Sequence, residues 1–145
     1  MRPRPLPGVF ASQGVFRIGT LPSKGFFDLV ELLQYKERLT RKIQADWFIH
    51  VDADEIREAP EPNRTLHEAI TAVDAQGYNA VNFDEFVFLP TTDSDSFEGT
   101  DYVASMRYYY FFEAEPLRRI NAWKAGPRPV DLTMSGGHML QFEGR

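Results

Sequence analysis

At 145 residues the chain has room for one ordinary domain with a real core. Hydrophobic residues make up 43% and charged residues 26%, which excludes a disordered chain, and the absence of cysteine excludes disulfide scaffolds, thiolate metal sites and thiol nucleophiles. The net charge of -5 is segregated: residues 1–50 carry eight Lys/Arg against four Asp/Glu, residues 51–115 three against fifteen, and residues 116–145 five against two. An acidic middle between basic flanks argues against nucleic-acid binding, which wants a continuous basic surface. It suits carboxylates that hold a divalent cation while basic groups meet an anionic ligand; a solvated acidic face is the simpler alternative. No apolar run of about 18 residues exists, so no membrane span is expected. The opening Met1-Arg2-Pro3-Arg4-Pro5-Leu6-Pro7-Gly8 is too broken to lead a signal peptide, and a cytoplasmic location is expected.

Residues 1–25 read as a loosely structured segment with one short strand, Val15-Phe16-Arg17-Ile18. Phe26, Phe27, Val30, Leu33, Leu39 and Ile43 then recur at helical spacing and predict an amphipathic helix of about four turns, ended near Asp46. Trp47-Phe48-Ile49-His50-Val51 is nearly all apolar and reads as a strand covered on both faces, as in a parallel sheet. Pro60 and Pro62 force an extended loop. Thr65-Leu66-His67-Glu68 fits a capping box before a second helix striped by Leu66, Ala69, Ile70 and Val73, which Gly77 stops. Tyr78 to Leu89 reads as one long strand, Thr91 to Gly99 as an acidic loop, and Arg107 to Phe112 as another strand. An extended segment around Leu117 to Lys124 and a Gly/Pro linker lead to Met134-Ser135-Gly136-Gly137-His138-Met139-Leu140. This order predicts an α/β sheet flanked by helices, with antiparallel additions toward the C-terminus.

The sharpest local signal is the apolar strand that ends in Asp52-Ala53-Asp54-Glu55. In α/β sheets, ligands gather beyond the carboxyl ends of parallel strands. In an extended chain Asp52 and Asp54 point the same way, about 7 Å apart at the backbone, and two like charges that close want a cation between them. Oxygen donors favour Mg2+ or Mn2+ over zinc, with an acidic turn after a strand as the plainer reading. Asp84 and Glu85 lie on a strand expected beside this one; neighbours face opposite ways, so one of the two is a candidate base, Asp84 ahead because Glu85 shares an apolar face. Asp93, Asp95 and Glu98 are rivals. Lys124 and Arg119 are candidates to offset diphosphate charge. His50 reads as a core residue, His67 as surface and Trp123 as packing. Ser135-Gly136-Gly137 before His138 makes a close-approach backbone.

The run Ala45-Asp46-Trp47-Phe48-Ile49-His50-Val51-Asp52-Ala53-Asp54-Glu55-Ile56 resembles the metal-binding DxD segment of family 2-like glycosyltransferases of GT-A fold, in the bacterial subgroup that reads Trp, apolar residues, then Asp-x-Asp-Glu. Gly77-Tyr78-Asn79-Ala80-Val81, Phe86-Val87-Phe88 and Ser135-Gly136-Gly137-His138 resemble the same subgroup in the same order, so the resemblance runs from about residue 26 to the end. It implies an incomplete GT-A, Rossmann-like mixed sheet over residues 26–145, and transfer of a sugar from a nucleotide-diphosphate sugar donor to a hydroxyl acceptor such as a glycan. By this resemblance Asp54 ligates the cation, Asp52 meets the donor ribose or a metal-bound water, and the late His138 closes the metal site. A full GT-A domain places two or more βα units before its DxD strand, whereas 51 residues precede Asp52 here; the resemblance therefore implies the middle of such a domain.

Two other readings compete. A haloacid-dehalogenase-type phosphatase also ends a strand in Asp-x-Asp, but wants Thr or Val where this chain has Ile56, and places the motif on its first strand. A non-enzymatic interaction module would use strand edges left open by missing units, which favour self-association. An EF-hand loop starting at Asp52 fails, because Ile56 and Arg57 stand where it needs an oxygen ligand and a glycine.

Overall fold

The computed structural model describes residues 18–90, 106–112 and 119–142. The expected strand at residues 15–18 and the loop at 91–99, with Asp93, Asp95 and Glu98, lie wholly or mainly outside them.

Helix α1 (Leu29–Thr40) begins where Asp28, in extended backbone, caps it by accepting the Glu31 N–H at 2.9 Å. Phe26 and Phe27 therefore lie ahead of the helix and stay exposed, and Leu33 is the residue of the predicted stripe that is fully buried. Helix α2 (Leu66–Ala75) carries the predicted capping box: Thr65 Oγ1 accepts from Glu68 N, and the Glu68 carboxylate accepts from Thr65 N at 2.8 Å. Gly77, at φ 84°, supplies the left-handed residue that lets the chain leave α2.

Strands β1 (Trp47–Ile49), β2 (Ala80–Asn82) and β5 (Ile120–Lys124) form one sheet in the order β1-β5-β2. The expected parallel neighbours of β1 are corrected here: β1 lies at the sheet edge and its partner is antiparallel β5, with Trp47 opposite Lys124 and Ile49 opposite Ala122. Its aromatic content does not require burial on both faces, because Phe48 stacks on Trp123 across the pair at 5.7 Å while Ile49 is exposed. β2 also pairs antiparallel with β5. β1 and β2 thus run the same way on either side of β5, and their carboxyl ends reach the same end of the sheet.

The predicted strand from Tyr78 to Leu89 is two strands. A register shift at Val81/Asn82 ends β2, the chain breaks over Phe83–Glu85, and β3 (Phe86–Leu89) leaves to pair with β4 (Tyr108–Phe111). β6 (Val130–Asp131) pairs with β7 (Gln141–Phe142) around a 3-10 turn at Thr133–Ser135. Leu33, Trp123, Val130, Leu132 and Leu140 make the core, with Phe48 and Ile120 against it. The fold is mixed α/β with antiparallel sheets, and among the described residues no helix is long and apolar enough to cross a membrane.

Candidate functional site

The site end of the sheet starts with His50, which extends the β1–β5 ladder by donating its N–H to Asn121 O at 2.7 Å. The chain then turns. Glu55 N donates to Asp52 O and Asp52 N donates to the Glu55 carboxylate, both at 3.2 Å, so Glu55 is spent on closing the turn. A turn breaks the period-two alternation that would aim Asp52 and Asp54 alike. Asp52 meets Lys36 of α1 at 3.4 Å with its own side chain 55% exposed, and Asp54 is exposed as well.

Below the turn lies His50, with 4% of its side chain exposed. Lys36 Nζ stands 3.4 Å from His50 Nδ1. An ammonium can only donate, so Nδ1 accepts and the proton sits on Nε2. Nε2 lies 3.7 Å from Asp52 Oδ1 and makes no hydrogen bond. Burial, and then the neighbouring Lys36 charge, push the His50 pKa down and keep the ring neutral near pH 7.

Gly137 closes over this ring. Its φ is 92°, and a Cβ there would come 3.2 Å from both His50 Nε2 and Leu33 Cδ2. The loop that carries it is held firmly: Gly137 N donates to Leu132 O at 2.8 Å, and Ser135 Oγ donates to Met139 O while accepting from Met139 N. Asp131 caps the preceding turn through Thr133 N, Thr133 Oγ1 and Met134 N. Of the two glycines, Gly137 makes the close approach, and it meets His50 and Leu33. His138 itself is exposed.

Arg57 ties these pieces together. Its side chain is 8% exposed, its Nη2 donates to Glu55 at 2.6 Å, and its guanidinium lies 5.0 Å from the Phe83 ring centre. Asn121, buried in β5, orients its amide so that its oxygen accepts from Arg57 and its nitrogen donates to Ile120 O and His138 O. Acidic turn, central strand, glycine loop and the end of β2 are linked through these two residues. Arg57, Asn121 and Lys36 are not among the candidates that the sequence pattern offers. Their sequence signals are slight: Arg57 is a lone cation in the acidic run 52–61, and Lys36 lies one turn after buried Leu33.

The other candidates fall in two places. Asp84 and Glu85 follow β2 at the same end of the sheet as Asp52, on the other side of β5; Asp84 is exposed, and Glu85 is ion-paired with Arg119 at 2.6 Å. Arg119 also covers the Phe112 ring at 5.0 Å. Lys124 is at the far end of β5, opposite Trp47, where it is ion-paired with Asp74; it does not join the acids. Asp52, Asp54 and His138 are on neighbouring segments, and among the described residues no three His, Asp or Glu side chains are drawn together tightly enough to cage a metal. Between α1 and β1 runs a groove of about 240 Å³, lined by Lys36, Leu39, Phe48, His50, Val51 and Leu132 among others.

Fold and site together define a mixed α/β protein whose chemistry-bearing side chains collect at one end of a three-stranded sheet. Comparison with family models, with curated proteins and with solved structures returns no significant match.

Proposed function

We propose that the chain is a metal-dependent glycosyltransferase of GT-A type, which moves a sugar from a nucleotide-diphosphate donor to an acceptor hydroxyl. The observation that supports the reading is the topology: β1 and β2 run the same way on either side of β5, so Asp52 and Asp54 after β1 and Asp84 after β2 stand at one end of the sheet, the end reached by the glycine loop before His138. Carboxylate oxygens from one turn and an imidazole from a facing loop are donors that suit Mn2+ or Mg2+. Asp52 and Asp54 would hold the ion with His138 as third ligand. Such an ion, when bound, would stabilise the charge that gathers on the leaving diphosphate.

The chain's own part is orientation and proton removal. Asp84, free of the Arg119 pair that engages Glu85, takes the acceptor proton as the hydroxyl oxygen attacks the anomeric carbon. The bond from that carbon to the diphosphate oxygen breaks, and the nucleoside diphosphate leaves with the electron pair. Holding acceptor and donor in line can supply several kcal/mol of the rate enhancement.

Calorimetry with UDP- and GDP-sugars in the presence of Mn2+ tests the reading. Saturable binding that needs Mn2+ and is lost in Asp54→Ala is expected. Equal heats with and without the metal, or no binding of either donor, would overturn it.

An interaction module is the second reading, favoured by the aromatic ribbon β3–β4. Phe86, Phe88, Tyr109 and Phe111 meet one another on one face and remain exposed, and Tyr108 and Tyr110 are exposed on the other. Sedimentation that shows a concentration-dependent dimer, together with no response to nucleotide sugars, would favour this reading.

A further inference from the structure

Among the described residues β3 and β4 form a two-stranded sheet by themselves, and such a ribbon is marginally stable alone in water. Neither strand carries the usual protection of an edge: Phe86–Leu89 and Tyr108–Phe111 hold no charge and no proline. The backbone of β4 is also set for a further strand. Phe112 N donates to Glu85 O at 2.8 Å, and antiparallel ladders alternate, so Tyr110 and Tyr108 turn their backbone groups to β3. The N–H and C=O of Tyr109 and Phe111 therefore face away from β3, toward an edge on which no described strand lies.

The chemistry that fits this edge is written in the run Arg107-Tyr108-Tyr109-Tyr110-Phe111-Phe112-Glu113, a base and an acid at the two ends of five aromatics. Laid antiparallel on itself about Tyr110, the run sets Arg107 of each copy opposite Glu113 of the other, and Tyr109 opposite Phe111. That register pairs opposite charges and matches the outward backbone groups of Tyr109 with those of Phe111. It also keeps Phe86, Phe88, Tyr109 and Phe111 of both copies on one continuous face. Other occupants fit less well. The contacting rings are inclined by 29° less than a right angle or more steeply only in part, between 45° and 87°, which is no flat platform for stacking a sugar or a base. Asp93, Asp95, Glu98 and Asp101 stand in the sequence between the two strands, and such acids repel an anionic membrane.

We infer that β4 pairs antiparallel with β4 of a second copy, about a two-fold axis at Tyr110, to make a four-stranded sheet in the order β3-β4-β4-β3. The inference rests on the interaction-module reading and deepens it by naming the partner and the edge; it stands whether or not the chain transfers sugar.

The test is sedimentation velocity on the full chain from about 1 to about 100 μM, with circular dichroism to show that each variant is folded. The parent is expected to dimerise across this range. Arg107→Glu sets like charges at both ends of the pair and should weaken the dimer about tenfold, and Arg107→Glu combined with Glu113→Arg should restore it. Tyr110→Lys brings two ammonium groups together on the axis and should leave a monomer. A parent chain that is monomeric throughout overturns the inference, and if it then binds neutral lipid vesicles the ribbon belongs to a membrane surface instead. A dimer that Arg107→Glu and Tyr110→Lys both leave unchanged overturns the β4 edge alone; the chain then self-associates through another surface and the interaction-module reading stands.

Discussion

Two aromatic strand pairs in this chain have opposite fates. In β1–β5, Phe48 stacks on buried Trp123 and the pair packs on Leu33, Leu132 and Leu140. In β3–β4, Phe86 and Phe88 meet Tyr109 and Phe111 at ring distances of 5.3–5.6 Å, yet every one of these rings remains exposed. Cross-strand stacking is present in both. What differs is the third layer: α1 and the β6–β7 segment cover the first pair, with Glu37 of α1 accepting the Leu132 N–H at 2.8 Å. The comparison teaches that aromatic and β-branched residues specify a strand, while burial is decided by whatever packs above it. It also places the polar network of Lys36, His50, Arg57 and Asn121 beside the covered pair, where a lost partner is costly.

The contrast can be broken most severely at Gly137. Gly137→Ala puts a Cβ 3.2 Å from His50 Nε2 and Leu33 Cδ2 at a positive φ, and is expected to destabilise the fold by about 3 kcal/mol, read as a lower urea midpoint. A near-zero change would show that the loop does not seat on His50.

Asp131→Ala removes three hydrogen bonds that start the same loop, and should cost about 1 kcal/mol. The effect has a pH signature. The Met134 backbone N–H, and then Thr133, hold the Asp131 pKa below the usual aspartate range. Its folded value is thus lower than its unfolded one, so its contribution is complete above the ordinary aspartate pKa and fades as pH falls through the lowered value. Parent and Asp131→Ala stabilities should therefore converge in strong acid, and parallel acid-unfolding curves would contradict the assignment.

The smallest effect is expected on the ribbon. Tyr109→Ser deletes exposed ring contacts with Phe86 and Phe88 and should change stability by less than about 1 kcal/mol. A loss as large as that of Gly137→Ala would mean that the ribbon is covered as firmly as β1–β5.

Much of this protein was legible residue by residue where the causes are local. The capping box of Thr65 and Glu68, the stop at Gly77 and the positive φ taken by the glycines at 136 and 137 all follow from bonds or dihedral limits within a few positions. The position of Asp52 and Asp54 beyond the tryptophan-led strand was legible too, but not their divergence, because Glu55 and Arg57 close a turn that period-two reasoning ignores. The site's supports lay outside sequence reasoning altogether. Lys36 meets His50 across a helix and a loop, Arg57 meets Asn121 across the sheet, and Glu37 holds Leu132 from 95 positions away.

By itself the sequence determined that two helices and a tryptophan-led strand exist, in that order, and where the second helix starts and stops, because capping, glycine geometry and hydrophobic period act over a turn or two of chain. Only the tertiary structure decided that β1 pairs antiparallel with β5, that β3 and β4 leave the sheet, and which charged groups share a buried space. Pairing partners are chosen by contacts between distant segments, and no local rule carries that information.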